Sequence, residues 1–499
     1  MKKLLISLVF VVGYLILSLE ILGGRLLAPF FGNSIYVWGS LIGVILVALS
    51  GGYYLGGWLS EFYRDRGKAK NIFSFLDKLF FFVVIFLLFD LFFYLSILNW
   101  LSSWDLIWGS LLAVLILFCL PMVALAATSP LVIKILSEQG AAGYSAGLVY
   151  TWGTLGSILG TFLTTFYLIP YFGSRLTLYS CFFIALLILI GLLLSINRRV
   201  VISGVVIFLI SLAVLPAPIL SRNVILETES AYNQIRVINK EGKILLTLNS
   251  QRDLLAQSGY SVSTSSSSWS YINNLFGVGP FVEPVNNLLI LGMAAGSTVL
   301  QHRVFSPQIK IDAVEIDPKI IAIAKDKFGL REDENLKIFQ ADARPFLSGS
   351  RKQYDMIEID LFWGSPYIPF YVATQEFFGL TAERLSPNGI MMMNIFAPGS
   401  QEILEPILNT IASVYPSVYK IPYHGNFIVL ATRSETSLEK IKERLKEAEI
   451  AASAELRTAI NYGLDYMEKY LPNKKAPIFT DDWAPTEIIT YKMLRGFKI

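Results

Sequence analysis

Seven apolar stretches crowd the first 220 residues: 4–22, 37–59, 72–98, 107–133, 145–169, 176–196 and 200–219. An α-helix rises about 1.5 Å per residue, so roughly 20 apolar residues bridge the hydrocarbon core of a bilayer. Each stretch therefore reads as a spanning helix, the last being the shortest because Pro216 and Pro218 interrupt it. The first follows Met1-Lys2-Lys3 as a secretory leader would. No small-residue cleavage site comes after it, so it reads as a retained span. Gly51, Gly52, Gly56 and Gly57, and again Gly153, Gly156 and Gly160, recur at spacings that let helices approach closely in lipid. Asp90 sits within a span with no sequence-near cation, which points to a polar cavity.

Charge is distributed just as unevenly. Residues 1–220 hold 12 Lys/Arg and 7 Asp/Glu, and the other 29 and 31 fall in residues 221–499. With 54% hydrophobic and 16% charged residues the whole chain lies outside the range of soluble domains. A net charge of +3 does not suit a dedicated nucleic-acid binder. Cys119 and Cys181 both lie in apolar runs, and His302 and His424 are the two histidines, so neither a disulfide framework nor a Cys/His metal site is expected.

From about residue 222 the pattern turns to short β-rich runs. Residues 235–238 and 244–248 flank Gly242 as a hairpin, and a Ser-rich loop follows at 261–268. Strand and helix signals then alternate to about residue 450, predicting βαβ units and a mostly parallel sheet. The expected domains are thus a multi-pass α-helical membrane domain (1–221), a β-hairpin subdomain with linker (222–280) and an α/β Rossmann-like, methyltransferase-type domain (281–499).

The chemistry concentrates at strand ends. The apolar strand 288–291 runs into Gly292-Met293-Ala294-Ala295-Gly296-Ser297 and then a helix, a turn whose small residues let a ligand approach backbone N–H groups. A second strand, 311–316, carries Glu315, 23 residues after Gly292, the spacing at which an acid bonds ribose hydroxyls. A third, 336–339, leads to Asp342, placed to accept from an adenine amino group, and a fourth, 354–359, ends at Asp360. Each acid taken singly also fits a helix cap or a turn; three at successive strand ends point to one crevice. The aromatic loop after Asp360, with Phe362, Trp363 and Tyr367, suits an apolar or cationic ligand and equally a packing surface.

These residues resemble the membrane-fused branch of the spermidine synthase family of aminopropyltransferases. The run Glu229-Ser230-Ala231-Tyr232-Asn233-Gln234-Ile235-Arg236-Val237 is similar to that family's N-terminal hairpin. Residues 289–297 resemble its Gly-rich loop, Val314-Glu315-Ile316-Asp317-Pro318 its ribose acid, Ala341-Asp342-Ala343 its adenine acid and Ile359-Asp360 its catalytic aspartate. The tail Phe479-Thr480-Asp481-Asp482-Trp483-Ala484-Pro485-Thr486-Glu487 and the stretches 20–25, 51–66 and 148–173 are similar to the membrane-fused branch.

The resemblance implies transfer of a propylamine group from decarboxylated S-adenosylmethionine to an amine such as putrescine, giving spermidine and methylthioadenosine. It implies cofactor contacts at Gly292, Ala295, Gly296, Glu315, Asp342 and Ala343, amine contacts at Asn233, Gln234, Gln251, Trp363 and Tyr367, and Asp360 as the catalytic carboxylate. Partners would be the amine, the lipid bilayer and a second copy of the chain, with neither nucleic acid nor metal.

The sequence departs from the family at three places: Ala295 and Trp363 stand where soluble members carry aspartates, and no Tyr-His-Glu element occurs near 269–272. Each departure removes a cation-holding group, leaving room for another amine or for ordinary S-adenosylmethionine. Asp481, Asp482 or Glu487 would replace the lost carboxylates if the tail folds over the crevice. A methyltransferase acting on a lipid or membrane-delivered amine, and a transporter or sensor that binds a nucleoside or polyamine without turnover, are the alternatives.

Nine Lys/Arg (Lys2, Lys3, Arg64, Arg66, Lys68, Lys70, Lys134, Arg198, Arg199) fall on the side of the N-terminus, against Arg25, Arg175 and Arg222 on the other. That bias puts the N-terminus in the cytoplasm. Seven crossings would then carry the α/β domain outside, away from cytosolic adenosyl cofactors, unless 200–219 does not cross.

Overall fold

The computed structural model describes residues 2–32, 34–62, 69–104, 106–138, 140–196, 223–249, 256–261, 271–362 and 367–496. The chain forms two compact units, Met1–Leu220 with Thr228–Tyr232, and Ser221–Glu227 with Asn233–Ile499.

The first unit is helical: α1 (Lys2–Phe31), α2 (Ile35–Phe62), α3 (Ala69–Leu101), α4 (Leu106–Val114), α5 (Leu120–Ser137), α6 (Ala142–Leu163) and α7 (Ile169–Ile196). A π-helical turn at Leu115–Cys119 joins α4 to α5, and another at Thr164–Leu168 joins α6 to α7. Among the described residues, five helical stretches are long and apolar enough to cross a membrane, the longest being the 52 residues Ala142–Leu193. At about 1.5 Å per residue that length is more than twice a hydrocarbon core. It breaks at Gly173, whose φ of 81° and ψ of 167° are non-helical. The first six apolar stretches thus coincide with helix, while 200–219 lies outside the described residues.

Glycine sets how closely these helices pack. A Cβ on Gly156 or Gly160 of α6 would run into the Phe10 or Tyr14 carbonyl of α1, and one on Gly52 or Gly56 of α2 into the Val123 or Ala127 carbonyl of α5. Gly51 and Gly57 have open space instead. Ser157 Oγ donates to the Gly13 carbonyl (3.2 Å) and Thr164 Oγ1 to Ser18 Oγ (2.9 Å), so hydroxyls add to the α1–α6 seam. Asp90 is 2% exposed, and neither of its carboxylate oxygens has a hydrogen-bond partner.

The second unit starts with a four-stranded sheet, β1 (Val224–Glu229), β2 (Gln234–Lys240), β3 (Lys243–Leu248) and β4 (Ala256–Ser261), in that order. Lys240 pairs with Lys243 across Glu241-Gly242, both at positive φ (54° and 78°), the two-residue turn that matches strand twist. The Ser-rich loop expected at 261–268 falls outside the described residues beyond Ser261. Next come α8 (Tyr271–Phe276), β5 (Asn287–Leu291), α9 (Ser297–Phe305), β6 (Lys310–Glu315), α10 (Pro318–Lys327), β7 (Leu336–Gln340), α11 (Ala343–Gly349), β8 (Tyr354–Ile359), α12 (Gln375–Arg384), β9 (Leu385–Phe396), α13 (Gln401–Ala412), β10 (Ser417–Tyr423), β11 (Asn426–Thr432), α14 (Leu438–Ala451), α15 (Ala454–Tyr466), β12 (Glu468–Lys469) and α16 (Thr486–Gly496).

The large sheet has the order β12-β10-β11-β9-β8-β5-β6-β7. Strands β7, β6, β5, β8 and β9 are parallel, as the sequence predicts. The far edge differs: β10 and β11 form a hairpin across His424-Gly425, both at positive φ (44° and 83°), and β11 inserts antiparallel beside β9. One apolar layer includes Ile235, Val237 and Leu246 of the small sheet together with Leu288, Ile290, Met356 and Met392 of the large one, so both sheets share a core. Leu289, Leu291, Ile357 and Ile359 face the opposite layer, with Phe377, Ile403 and Ile407.

Candidate active site

Strand β5 is followed in the chain by β6 on one flank, while β8 lies on the other. The loops leaving β5 and β8 therefore diverge at their C-terminal ends, where α/β sheets of this kind bind ligands. Leu291 pairs with both Val314 and Ile359, and Glu315 with Gln340, so the turns carrying Gly292, Glu315, Asp342 and Asp360 all leave the sheet along one edge.

The Gly-rich turn is tightly held. Gly292 has φ of 85°, and a Cβ there would lie 2.5 Å from the Asp360 carbonyl oxygen, so this position requires glycine. The Asp360 N–H donates to the Leu291 carbonyl (3.0 Å), joining the two loops. Ala294 also takes a left-handed conformation (φ 47°), which costs an alanine roughly 1 kcal/mol. Glycine at 296 (φ 83°) caps α9. Strand β4 closes on this turn: Ser258 Oγ accepts from the Ala295 N–H (3.0 Å), and Ser297 Oγ accepts from the Gly259 N–H (2.9 Å) while donating to its carbonyl (3.0 Å). Ser258 and Gly259 were not among the sequence candidates, because only the folded sheet brings β4 to the turn.

Glu315 is 8% exposed and accepts from the N–H groups of Ala294 and Asp317, one on each oxygen (both 3.0 Å). Each oxygen keeps a second lone pair that a ribose hydroxyl would use. Burial outweighs these bonds and pushes the carboxyl up to about 7. Asp317 is fully buried; it caps α10 through the Lys319 N–H and accepts from Asn233 Nδ2 (3.0 Å). Asn233 in turn accepts from Asn249 Nδ2 (2.7 Å), so it braces the Asp317 turn from the hairpin. The Gln234 side-chain amide lies 3.5 Å from Glu227.

Asp342 caps α11 through the Arg344 N–H (3.0 Å), and Ala343 begins that helix. Its other oxygen accepts from the Tyr371 hydroxyl (3.3 Å), which burial and the neighbouring carboxylate push up to about 12. The capping role open to any such acid is therefore present at Asp317 and Asp342. Asp360 differs: its side chain accepts from Asn394 Nδ2 of β9 (3.1 Å), and burial, with Glu358 nearby, pushes it up to about 7.

Gln251 and Trp363 lie outside the described residues. Tyr367 is half-buried beside the tail, with burial, Tyr491 and Glu487 pushing its hydroxyl up to about 12. The tail folds back onto the domain: Thr486 Oγ1 donates to the Ile368 carbonyl (2.9 Å). Asp481 is engaged by both terminal nitrogens of Arg344 and by Thr374 Oγ1 (2.7 Å). Arg344 and Thr374 hold its carboxyl below the usual range, so Asp481 is committed to closing the tail. Among the described residues no group of three His, Cys, Asp or Glu side chains is arranged to hold a metal ion.

Strand order and crevice together define an α/β domain of methyltransferase type. Residues 270–443 match the profile of the spermine/spermidine synthase domain. The chain is 31% identical over 211 residues to the polyamine aminopropyltransferase of Vibrio vulnificus, covering 40% of this chain and 69% of that protein. It is 27% identical over 285 residues to the probable polyamine aminopropyl transferase of Bifidobacterium longum, covering 54% of this chain and 62% of that one. A solved structure of a probable spermidine synthase from Corynebacterium glutamicum superposes with a TM-score of 0.42 at 16% identity, over 54% of this chain and 99% of the other. This chain belongs to the spermidine synthase family of polyamine aminopropyltransferases.

Proposed function

We propose that the chain is a multi-pass enzyme of the cell membrane that transfers the propylamine group of decarboxylated S-adenosylmethionine to an amine such as putrescine, yielding spermidine and methylthioadenosine. The observation that carries this reading is Asp360, whose backbone packs against the Gly-rich turn and whose carboxyl, held by Asn394, is tuned close to neutral pH. An ammonium acceptor must lose a proton before its nitrogen lone pair can attack the carbon beside the sulfonium, and a carboxyl near 7 accepts that proton efficiently. The carbon–sulfur electron pair leaves with methylthioadenosine. Glu315 would hold the ribose and Asp342 the adenine, with Gly292, Ala295, Gly296 and Ala343 lining the approach. Asn233 would support the site by bracing Asp317.

One observation favours ordinary S-adenosylmethionine instead. Ala295 is fully buried with its N–H on Ser258, so this position offers no carboxylate to a propylamine nitrogen. Incubating the purified chain with each cofactor form and a panel of amines, followed by mass spectrometry, separates the readings. Methylthioadenosine supports the proposal, S-adenosylhomocysteine replaces it with methyl transfer, and neither product leaves a nucleoside- or polyamine-binding transporter or sensor. A side-specific reporter fused after Arg222 tests compartment, and an extracytoplasmic signal counts against use of a cytosolic cofactor pool.

Glu315→Gln is expected to weaken nucleoside binding about 10- to 100-fold, the loss of a charged acceptor from a buried pair of hydrogen bonds. Because the carboxyl sits at about 7 in the free protein, wild-type affinity should decline as pH falls through that value. Calorimetric titration at pH 6 and pH 8 checks both; a pH-independent wild-type affinity would remove Glu315 from the ribose site.

A further inference from the structure

Two residues below Asp360 on β8, Glu358 lies in the middle of the sheet between Ile290 of β5 and Met392 of β9. It is fully buried. One of its oxygens is 2.8 Å from Nε2 of His302, which is equally buried and projects from α9, the helix that starts at the Gly-rich turn. Its other oxygen and the His302 Nδ1 have no hydrogen-bond partner. Neither does Asn394 Oδ1, whose amide nitrogen holds Asp360, nor Asn273 Nδ2 and Asn274 Oδ1 on α8. Leaving a buried polar atom unpaired is destabilising, and an apolar pair of similar volume is often as stable as a buried polar pair or more so. Stability alone does not explain a polar tier inside an otherwise apolar layer.

Glu358 pairs with Met392, and Asn394, two residues further along β9 and so on the same face, holds the Asp360 carboxyl, which brings both carboxylates to one side of the sheet. The elements around the pair supply few other charges. β5, β9 and β11 contain no ionisable side chain, and α8 carries Tyr271 alone. On α9 the other charged residue, Arg303, is directed to Asp333 at the surface. At the mouth of the crevice, Glu315 is bound to the N–H groups of Ala294 in the Gly-rich turn and of Asp317, and Asp317 to the N–H of Lys319.

We propose that the His302–Glu358 pair is a positioning device for Asp360: the His302 Nε2 contact fixes the Glu358 carboxyl within the sheet, and Glu358 so placed keeps Asp360 a strong enough base to deprotonate the acceptor amine. This rests on the amine-transfer reading for its purpose, and on the geometry of β8, α9 and β9 for the coupling itself. In the step concerned, Asp360 takes one proton from the acceptor ammonium. The freed lone pair forms the carbon–nitrogen bond, the carbon–sulfur pair goes to sulfur, and the proton leaves Asp360 before the next turnover. His302 and Glu358 touch neither substrate.

The test uses the full chain in lipid nanodiscs, with kcat/KM measured against pH. In parallel, the Asp360 carboxyl is titrated by 13C signals assigned through their absence in D360N. Glu358→Gln should move the acid limb, and the Asp360 titration, down by about one pH unit, and lower the high-pH plateau about threefold as the base weakens. Glu358→Asp should restore both. If E358Q fails to fold, the paired replacement H302L/E358M, which removes both ionisable groups at similar volume, must give the same shift. An acid limb and a carboxyl titration unchanged in the folded variant overturn the proposal. Failure of the wild type to form methylthioadenosine defeats the aminopropyl reading separately, and the carboxyl titration then still decides whether Glu358 governs Asp360.

Discussion

Asparagine in place of Asp360 should lower turnover about 10²- to 10⁴-fold, the usual contribution of a positioned base, while nucleoside affinity stays within about threefold. The asymmetry follows from the site. Glu315 and Asp342 leave from β6 and β7, whereas Asp360 leaves from β8 and is held by Asn394. Wild-type kcat/KM should rise with pH through about 7, because Asp360 works deprotonated and burial has raised it to that value. D360N should lose that limb along with the rate. A variant retaining more than about a tenth of wild-type turnover would take the base role away from Asp360.

The same substitution predicts a gain in stability of the second unit. A carboxyl raised from its ordinary range to about 7 binds a proton in the folded state that the unfolded chain releases between roughly pH 4 and 7. Folding stability therefore declines as pH rises through that window and levels off above it. Asparagine cannot titrate, so D360N should melt higher than wild type at pH 8 and come closest to it near pH 4. Glu315, also at about 7, contributes a parallel slope that D360N leaves in place. Stability is then sacrificed where the proposed chemistry needs a basic group in a dry setting.

What the sequence makes legible is local. Residues 288–291 followed by Gly292 read as a strand entering a tight turn because both signals lie within a few residues, and the same holds for 311–316 before Asp317-Pro318. The hairpin at Glu241-Gly242 was equally readable. His424-Gly425 carries the same turn chemistry, yet a histidine in the left-handed position is a weaker signal than asparagine or aspartate, and the alternating pattern around it suggested another βαβ unit. The His302–Glu358 pair was out of reach, since 56 residues separate its members and only the seating of α9 on β8 brings them together. A glutamate inside the apolar run 354–359 was its one visible trace. Asn394 is likewise an ordinary strand residue until β9 lies beside β8. The sequence pointed to the close-packing glycines of the helical unit without separating those that touch a neighbour from those that do not.

That separation yields a prediction with a built-in control. Gly156 faces α1 so closely that a Cβ would overlap the Phe10 carbonyl, and Gly13 on the opposite helix has the same relation to the Gly153 carbonyl. Valine at 156 must therefore drive the two backbones apart, stretching the Ser157–Gly13 and Thr164–Ser18 hydrogen bonds along the same seam. If these helices span a bilayer, as proposed above, no gain in apolar burial offsets this, because the displaced surface would be as well solvated by acyl chains as by a neighbouring helix. Gly51→Val adds the same side chain where nothing lies within 4 Å, and its cost should stay within about 0.5 kcal/mol. G156V is expected to reduce the yield of monodisperse protein at least about tenfold, corresponding to a loss of more than ~1.4 kcal/mol. G51V should elute and melt as the wild type does. Equal behaviour of the two variants in size-exclusion chromatography would mean that contact at the α1–α6 seam does not hold this unit together.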